Sequence, residues 1–206
     1  MSLGTDICQK NQLLLSSVQI IRFDVQWHYS VTRKSLIMTT LFFHTFNSPL
    51  GLLHFAHAND VVYALAFAEF QEQLMEQLQK RFAKNLNLQP APNAVIDELL
   101  ERYFAGDIHA LRLIQTNTDG TPFQQEVWQG LRNIPAGQTA SYQQLAQNIG
   151  KENGQRAVGT ANGHNPIRLI IPCHRVINSN GQLGGYSGAL WRKEWLLKHE
   201  GVVLAG

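Results

Sequence analysis

The stretch SYQQLAQNIGKENGQRAVGTANG, residues 141–163, predicts two short helices joined by a tight turn. Ser141 is a good N-cap because its hydroxyl can accept a hydrogen bond from the free backbone N–H groups of the first turn. Gly150 ends this first helix, and residues 155–163 can form the second one. This outline is that of a helix-turn-helix, although many helix pairs of this shape bind no DNA and simply pack closely.

The second helix carries one cation and mostly very small side chains. Its residues are Arg156, Ala157, Val158, Gly159, Thr160, Ala161, Asn162 and Gly163. A protein that reads bases in the major groove normally offers several long polar side chains, and this helix does not. Small residues let a backbone approach its partner closely. If the partner is DNA, the composition therefore favours a shallow contact in the minor groove.

Helical and strand patterns continue on both sides of this pair. Upstream, the sequence predicts three antiparallel strands followed by two helices, and further helices flank the pair. The predicted strands cover residues 40–46, 52–58 and 61–67, and the other helices cover 69–83, 95–104, 121–133 and 189–199. We therefore expect an α/β (α+β) fold, with a small N-terminal antiparallel sheet with helices before a mostly helical C-terminal part.

Charge is distributed unevenly along the chain. The whole sequence has 17 basic and 15 acidic side chains, a formal charge of +2. From residue 123 onward eight basic residues stand against four acidic ones, which gives +4, and the remaining nine basic and eleven acidic residues give −2. This shift predicts a boundary near Thr121, with domains at 38–120 and 121–206. Residues 1–37 show no clean period and are assigned as an extension of unknown role.

The composition excludes several classes of protein. Hydrophobic residues make up 44% of the chain and charged residues 16%, so the chain can bury a sizeable core and is not globally disordered. The longest apolar run has eight residues, against the roughly 20 that a membrane-spanning helix needs. Two cysteines, Cys8 and Cys173, cannot build a disulfide framework and fit no common zinc spacing. We expect a cytoplasmic protein with no membrane association and no bound metal.

Cys173 is the residue most open to covalent chemistry. It lies in the run LIIPCHRVI, residues 169–177, and its apolar neighbours are typical of an inert, buried cysteine. However, His174 and Arg175 supply a possible base and a positive potential, which favour a reactive thiolate. Consecutive residues of an extended chain point to opposite faces. A water or a bend must therefore connect Cys173 with His174.

Glu194 is an acidic residue that helical spacing places toward the interior, between Trp191 and Leu197. A buried carboxylate needs a partner, and it could orient an imidazole as the acid of a catalytic triad does. The alternative is an exposed ion pair with Lys198, four residues further on, which would contribute only a few tenths of a kcal/mol.

Several short motifs stand in order along the C-terminal part. They are Ser141-Tyr142-Gln143-Gln144-Leu145-Ala146, Arg156-Ala157-Val158-Gly159, Asn165-Pro166, Pro172-Cys173-His174-Arg175-Val176, Gly185-Tyr186-Ser187-Gly188 and Lys193-Glu194-Trp195-Leu196-Leu197. Together they closely resemble those of the O6-alkylguanine-DNA alkyltransferases, also called methylated-DNA–protein-cysteine methyltransferases. The resemblance covers residues 121–203 and, more loosely, the region from Met38. It implies a ribonuclease-H-like N-terminal domain and a winged-helix-like C-terminal domain.

The resemblance implies direct, stoichiometric and irreversible repair of double-stranded DNA. A flipped guanine with a methyl or other alkyl group on O6, or a thymine alkylated on O4, would enter a pocket and be attacked by the Cys173 thiolate. In the family pattern Glu194 orients His174, which takes the thiol proton through a water, and Asn165 braces the surrounding loop. No cofactor is implied, and the protein is expected to act as a monomer.

The same resemblance assigns the contacts with DNA. Tyr142 corresponds to a tyrosine that assists nucleotide rotation and hydrogen-bonds the guanine, and Arg156 to a finger that fills the vacated stack. The helix behind Arg156 would enter the minor groove. The residues implied for that contact are Ala157, Gly159 and Ala161, and those implied for the base pocket are Val176, Tyr186 and Ser187.

Arg168, five residues before Cys173, departs from the family pattern, where a neutral side chain is expected. A cation there could meet a phosphate or narrow the pocket.

Two other functions use the same residues differently. A winged-helix DNA-binding or lesion-recognition protein would use the helices without chemistry. A cysteine hydrolase would use Cys173 and a base to turn over small acyl substrates. The reactive surroundings of Cys173 argue against the first of these.

Overall fold

A five-stranded sheet lies in the N-terminal half of the computed structural model, which describes residues 38–204. Its first three strands form the predicted antiparallel meander: β1 (Thr39–Ser48), β2 (Gly51–Ala58) and β3 (Val61–Phe67). The β2–β3 turn is made by Asn59 and Asp60, both with positive φ, a conformation that Asn and Asp adopt more readily than most residues.

The complete sheet is mixed, not purely antiparallel as predicted. β4 (Leu86–Pro90) pairs in parallel with β1, and β5 (Gln115–Thr116) pairs in parallel with β3, which gives the order β4-β1-β2-β3-β5. Both added strands are short and lie at the edges, where tertiary pairing, rather than a local pattern, determines their conformation.

The predicted helices are confirmed with small changes at their ends. They are α1 (Gln71–Phe82), α2 (Ala94–Phe104), α3 (Pro122–Arg132), α4 (Tyr142–Asn148), α5 (Gln155–Gly163) and α6 (Leu190–His199). Reciprocal capping boxes start α3 at Thr121 and α4 at Ser141, where the hydroxyl of the cap and a glutamine three residues later each bond the other's backbone N–H. These local signals explain why the sequence located both helix starts well.

A second, two-stranded sheet ties the start of α4 to the segment after the cysteine. β6 (Ala140–Ser141) pairs in parallel with β7 (Val176–Ile177), so that Ala140 lies opposite Val176. Tyr142, the first residue of α4, is thereby placed near the Cys173 segment.

One hydrophobic core continues across the predicted boundary near Thr121. It joins side chains of the sheet and α2 to those of α3, α4 and α6, including Phe55, Leu100, Leu131, Leu145 and Leu196. Backbone hydrogen bonds also cross, because Leu65 of β3 donates to Pro166 O (3.0 Å) and Arg168 donates back to Leu65 O (3.2 Å). The segment before Cys173 is therefore held directly on the sheet.

The predicted extension at residues 1–37, which contains Cys8, lies outside the described residues. Within residues 38–204, no helix has both the length and the apolar character needed to cross a bilayer.

Candidate active site

Cys173 is a free, buried cysteine at the start of a 3₁₀ turn that covers Cys173–Arg175. Only 2% of the residue is exposed. Because the chain turns here instead of running extended, Cys173 and His174 are not forced onto opposite faces. The structure therefore supplies a bend, one of the two connections that the sequence analysis left open.

Asn165 braces the backbone that leads to Cys173. Its Nδ2 donates to Ile171 O (2.7 Å), and its Oδ1 accepts from the backbone N–H of Ile167 (3.0 Å). The chain turns between Ile167 and Ile171, and within this turn Leu169 has a φ of +76°. This left-handed conformation costs a non-glycine residue about 1–2 kcal/mol. Asn165 is buried and both of its bonds lie within the turn, so it stabilises this strained path.

The carboxylate beside His174 belongs to Glu200, and the prediction that Glu194 orients this histidine is wrong. His174 Nε2 lies 3.0 Å from Glu200 Oε1, and both side chains are fully buried. Glu194 instead accepts from Lys198 Nζ at 2.7 Å on the exposed surface, which is the ion pair considered above as the alternative.

The error came from the orientation of α6. Its buried face is formed by Lys193, Leu196 and Leu197 at helical spacing, and Glu200 follows at the C-cap on the same face. Trp191, which the sequence placed inside, is 52% exposed. A buried lysine at position 193 is the feature that the apolar pattern did not predict.

Glu200 is the centre of a buried hydrogen-bond network. Arg175 donates to both of its oxygens, through Nε to Oε2 (2.8 Å) and Nη2 to Oε1 (2.9 Å), and Tyr103 donates its hydroxyl to Oε1 (2.8 Å). Burial alone would raise the pKa of Glu200, but the hydrogen bonds from His174 and Arg175 and the positive charge of Arg175 outweigh it and hold that pKa well below its usual range. Glu200 is therefore ionised.

The ionised Glu200 fixes the tautomer of His174. A carboxylate only accepts hydrogen bonds, so His174 Nε2 must carry the proton and donate it. Burial lowers the pKa of His174, although Glu200 opposes this, and the imidazole is therefore neutral. Nδ1 then holds a lone pair; it is buried and has no hydrogen-bond partner among residues 38–204. His174 can thus accept a proton at Nδ1.

The thiol of Cys173 needs such a base. Burial raises its pKa, while a hydrogen bond with Asn165 and the positive charges of Arg168 and Lys193 oppose the rise. Lys193 is fully buried, and burial lowers its pKa to about 8. The resting thiol is protonated, but two nearby cations favour the thiolate once its proton leaves.

Two tyrosines lie within electrostatic range of the thiol. Burial raises the pKa of Tyr142 and of Tyr186, and a negative charge on Cys173 raises both further. Both phenols therefore stay protonated and can donate. The Tyr186 hydroxyl is buried and bonds no other group in the described part of the chain.

The other two residues predicted for the base pocket, Ser187 and Val176, differ in solvent exposure. Ser187 is exposed, and its hydroxyl oxygen accepts from Arg168 Nε at 2.9 Å. Val176 is buried, and its carbonyl accepts from Lys193 Nζ at 2.6 Å, so one lone pair of this carbonyl is already used. Arg168 is itself buried, with its guanidinium over the Phe70 ring.

Helix α5 presents only part of the predicted DNA surface. Arg156 and Ala157 are exposed, and Gly159 lies close to Tyr142, since a Cβ added to Gly159 would be 3.7 Å from that ring. Ala161 was predicted to contact DNA, but it is buried in the core, and its carbonyl accepts from Trp128 Nε1 (3.0 Å). Its position on the inner face of α5 excludes the predicted surface contact.

Sequence reasoning missed three residues of this site, and it noted Arg175 only as a source of positive potential. Glu200 lies beside His174, Arg175 and Tyr103 donate hydrogen bonds to Glu200, and Lys193 lies beside the thiol. The sequence carries Arg175 and Lys193 within the motifs quoted above, but no local pattern connects Tyr103 with Glu200, since 97 positions separate them.

Known proteins share this sequence and fold. Residues 122–202 match the family model for the DNA-binding domain of 6-O-methylguanine DNA methyltransferase. The methylated-DNA–protein-cysteine methyltransferase of Salmonella typhimurium is 54% identical over 113 residues, which span 55% of this chain and 66% of that protein, just under two thirds of its length. The proteins of the same name from Shigella flexneri and Mycolicibacterium paratuberculosis are 45% and 40% identical, over 68% and 77% of this chain.

Solved structures of two proteins have a fold similar to that of this chain. The crystal structure of Mycobacterium tuberculosis OGT in complex with DNA is 38% identical, with a TM-score of 0.64 over 78% of this chain and 93% of that one. The O6-methylguanine-DNA methyltransferase of Pyrococcus kodakaraensis is 26% identical, with a TM-score of 0.57 over 79% and 99%. Because the Shigella and Mycolicibacterium relatives are matched over 84% and 91% of their own lengths, the chain belongs to the methylated-DNA–protein-cysteine methyltransferase family.

Proposed function

We propose that this chain repairs DNA by transferring the alkyl group of O6-alkylguanine directly and irreversibly to Cys173. The observation that carries the proposal is the buried pair of His174 and Glu200 beside this cysteine. Glu200 fixes the Nε2–H tautomer of His174, which leaves Nδ1 as the proton acceptor next in the chain to a protonated thiol.

The proposed chemistry needs three proton movements and one bond exchange. His174 Nδ1 takes the thiol proton through a bridging water, and the thiolate attacks the alkyl carbon in line with the C–O6 bond. The new S–C bond forms as the C–O6 bond breaks, and its electron pair leaves with the guanine. Tyr142 donates a proton to the departing guanine anion, and the proton that His174 took from the thiol returns through solvent to the Tyr142 phenolate. Guanine is restored, and a stable thioether remains on Cys173, so each molecule reacts once.

DNA would be bound by the outward face of α5. Arg156 and Ala157 are exposed there, and Gly159 allows the helix to lie close to Tyr142. In our proposal this face enters the minor groove and Arg156 fills the stack that the flipped base leaves. Flipping costs a few kcal/mol, and less for a weakened, alkylated pair, which helps to select the lesion. A relative that was solved in complex with DNA supports this partner.

The base would lie between Tyr142 and the segment that carries Tyr186 and Ser187. The buried hydroxyl of Tyr186 offers a hydrogen bond to the edge of the base, and in our proposal the Val176 carbonyl, which also accepts from Lys193 Nζ, offers another. The same site would accept O4-alkylthymine. The proposal also includes the ribonuclease-H-like and winged-helix-like character of the parts at 38–120 and 121–206.

The proposal is tested by separating repair from binding. Wild type and Cys173→Ala are each mixed with a duplex that carries one O6-methylguanine, and restored guanine is counted per protein molecule. We expect at most one repaired guanine per wild-type molecule, and binding without repair for Cys173→Ala. Equal binding with no repair by either protein would favour a lesion-recognition protein. Multiple turnovers on an activated ester would favour a hydrolase.

A further inference from the structure

The segment Gly185-Tyr186-Ser187-Gly188, here called the capping loop, is fastened by three buried cations. Each cation bonds a different residue of the loop, and all three belong to the C-terminal half. The bonds are Lys193 Nζ to Gly185 O (3.4 Å), Arg168 Nε to Ser187 Oγ (2.9 Å) and Arg192 Nη1 to Gly188 O (3.1 Å). A loop this rich in glycine would otherwise be free to take many conformations.

Arg192 connects the capping loop to the N-terminal sheet. Its Nε donates to Leu50 O in the β1–β2 turn (2.9 Å), and its Nη1 pairs with the carboxylate of Glu69 just after β3. Its guanidinium also lies 4.0 Å from the ring centroid of Phe67, the last residue of β3. Only 7% of Arg192 is exposed, so its bonds are well shielded from solvent.

The contact at Gly188 shows how closely the loop is seated on β3. A Cβ added to Gly188 would lie 2.8 Å from Phe67 Cε2 and 2.6 Å from Tyr186 Cε1, closer than real Cβ contacts allow. The backbone of the loop therefore packs directly against the Phe67 ring, which the Arg192 guanidinium also covers.

A displacement of Gly188 would also move the side chains that lie close to the reacting atoms. Tyr186 is two residues away, and its hydroxyl is buried within electrostatic range of Cys173. Ser187 lies between them. Misplacement of a substrate-positioning group by about 1 Å can cost on the order of a hundredfold in rate.

We propose that Arg192, fixed by Glu69, is a positioning residue for alkyl transfer. It holds the capping loop on Phe67, so that Tyr186 and Ser187 lie where the alkylated base binds. The N-terminal sheet would thus set the geometry of a reaction whose nucleophile lies in the C-terminal half. This inference rests on the function proposed above.

The first test compares Arg192→Gln with Arg132→Gln as a matched control. Arg132 is half-buried, less deeply than Arg192, and it bonds Ile114 O (3.2 Å) and Thr116 Oγ1 (3.1 Å), away from the capping loop. Methyl transfer is measured in single-turnover experiments over a range of protein concentrations. We expect Arg192→Gln to lower the saturating rate at least about tenfold with little change in the half-saturating concentration, since a positioning defect acts on the chemical step.

Three further variants test whether the slower transfer comes from losing the bonds that Arg192 makes. Glu69→Gln should cause a smaller loss of the same kind, and adding it to Arg192→Gln should cause no further loss, because the two residues act as one unit. Arg192→Lys should fall between wild type and Arg192→Gln, since an ammonium keeps the charge but cannot make all the bonds of the guanidinium. If Arg192→Gln does not fold, Glu69→Gln, whose changed side chain is exposed, carries the test.

The second test measures how well the capping loop shields Cys173 when no DNA is bound. Iodoacetamide is added and the labelling of Cys173 is followed by peptide mass spectrometry, which separates it from Cys8. We expect Cys173 to be labelled faster in Arg192→Gln than in wild type, although methyl transfer is slower. Wild-type rates of transfer and labelling in Arg192→Gln would overturn the inference, as would equal effects in Arg132→Gln at matched thermal stability. If wild type transfers no methyl group, the proposed function fails, but the labelling result still decides whether Arg192 holds the loop.

Discussion

Glu200 and Glu194 stand six residues apart in the chain and differ completely in their surroundings. Glu200→Gln leaves the guanidinium of Arg175 buried without its counter-charge, and we expect a loss of about 3–5 kcal/mol in the free energy of unfolding. Methyl transfer should also slow, because an amide no longer holds His174 in the tautomer that accepts a proton at Nδ1. Glu194→Gln removes only an exposed i,i+4 pair and should change stability by about 0.3–0.5 kcal/mol. Urea denaturation and single-turnover kinetics check both variants, and equal effects would contradict this assignment.

The same carboxylate makes stability depend on pH. The pKa of Glu200 is lower in the folded protein than in the unfolded chain, so over acidic pH the unfolded chain binds more protons and stability falls as pH falls. This contribution is complete above the pKa of an unfolded glutamate, about 4.3, and is lost below it. We expect the stability difference between wild type and Glu200→Gln to be constant from neutral pH to about pH 5.5 and to shrink further down. Urea titrations at several pH values measure it, and a difference that persists unchanged at pH 3.5 would contradict the prediction.

Helix α5 is where the DNA contact can be separated from folding. Arg156 is exposed, whereas Ala161 on the same helix is buried. Arg156→Ala should therefore leave the melting temperature unchanged within about 1–2 °C, the range of a neutral surface substitution. Repair of an O6-methylguanine duplex should slow at least several-fold, because nothing fills the vacated stack. Gln155→Ala, an exposed neighbour, serves as the control. An unchanged repair rate in Arg156→Ala would remove the finger role.

Elements with local signals were predictable from the sequence, and elements made by distant partners were not. The capping boxes at Thr121 and Ser141 and the apolar period of α2 lie within a few residues of the helices they define. β4 and β5 exist only because they pair with β1 and β3. The candidate site divides in the same way: Cys173, His174 and Asn165 lie close together in sequence and could be named from their motifs, whereas Glu200 is 26 residues from His174 and was missed.

The two halves of the molecule share one hydrophobic core and several buried hydrogen bonds. Tyr103 reaches Glu200, Arg192 reaches Glu69, and β3 bonds the segment before Cys173. We therefore expect residues 121–206 produced alone to show no sharp thermal transition by circular dichroism, since the apolar faces of α3 and α6 would lack their cover. Residues 38–206 are the control and should unfold in a single transition. A cooperative transition in the shorter fragment would show that its half of the core suffices.

The most direct test of the central claim locates the transferred group. Full-length protein is mixed with an equimolar duplex that carries O6-methylguanine with an isotopically labelled methyl, and the digested protein is analysed by peptide mass spectrometry. We predict one labelled methyl per protein, on the peptide that contains Cys173, together with unmodified guanine in the duplex. A label on Cys8, release of the methyl to solvent, or an unchanged lesion would contradict the account.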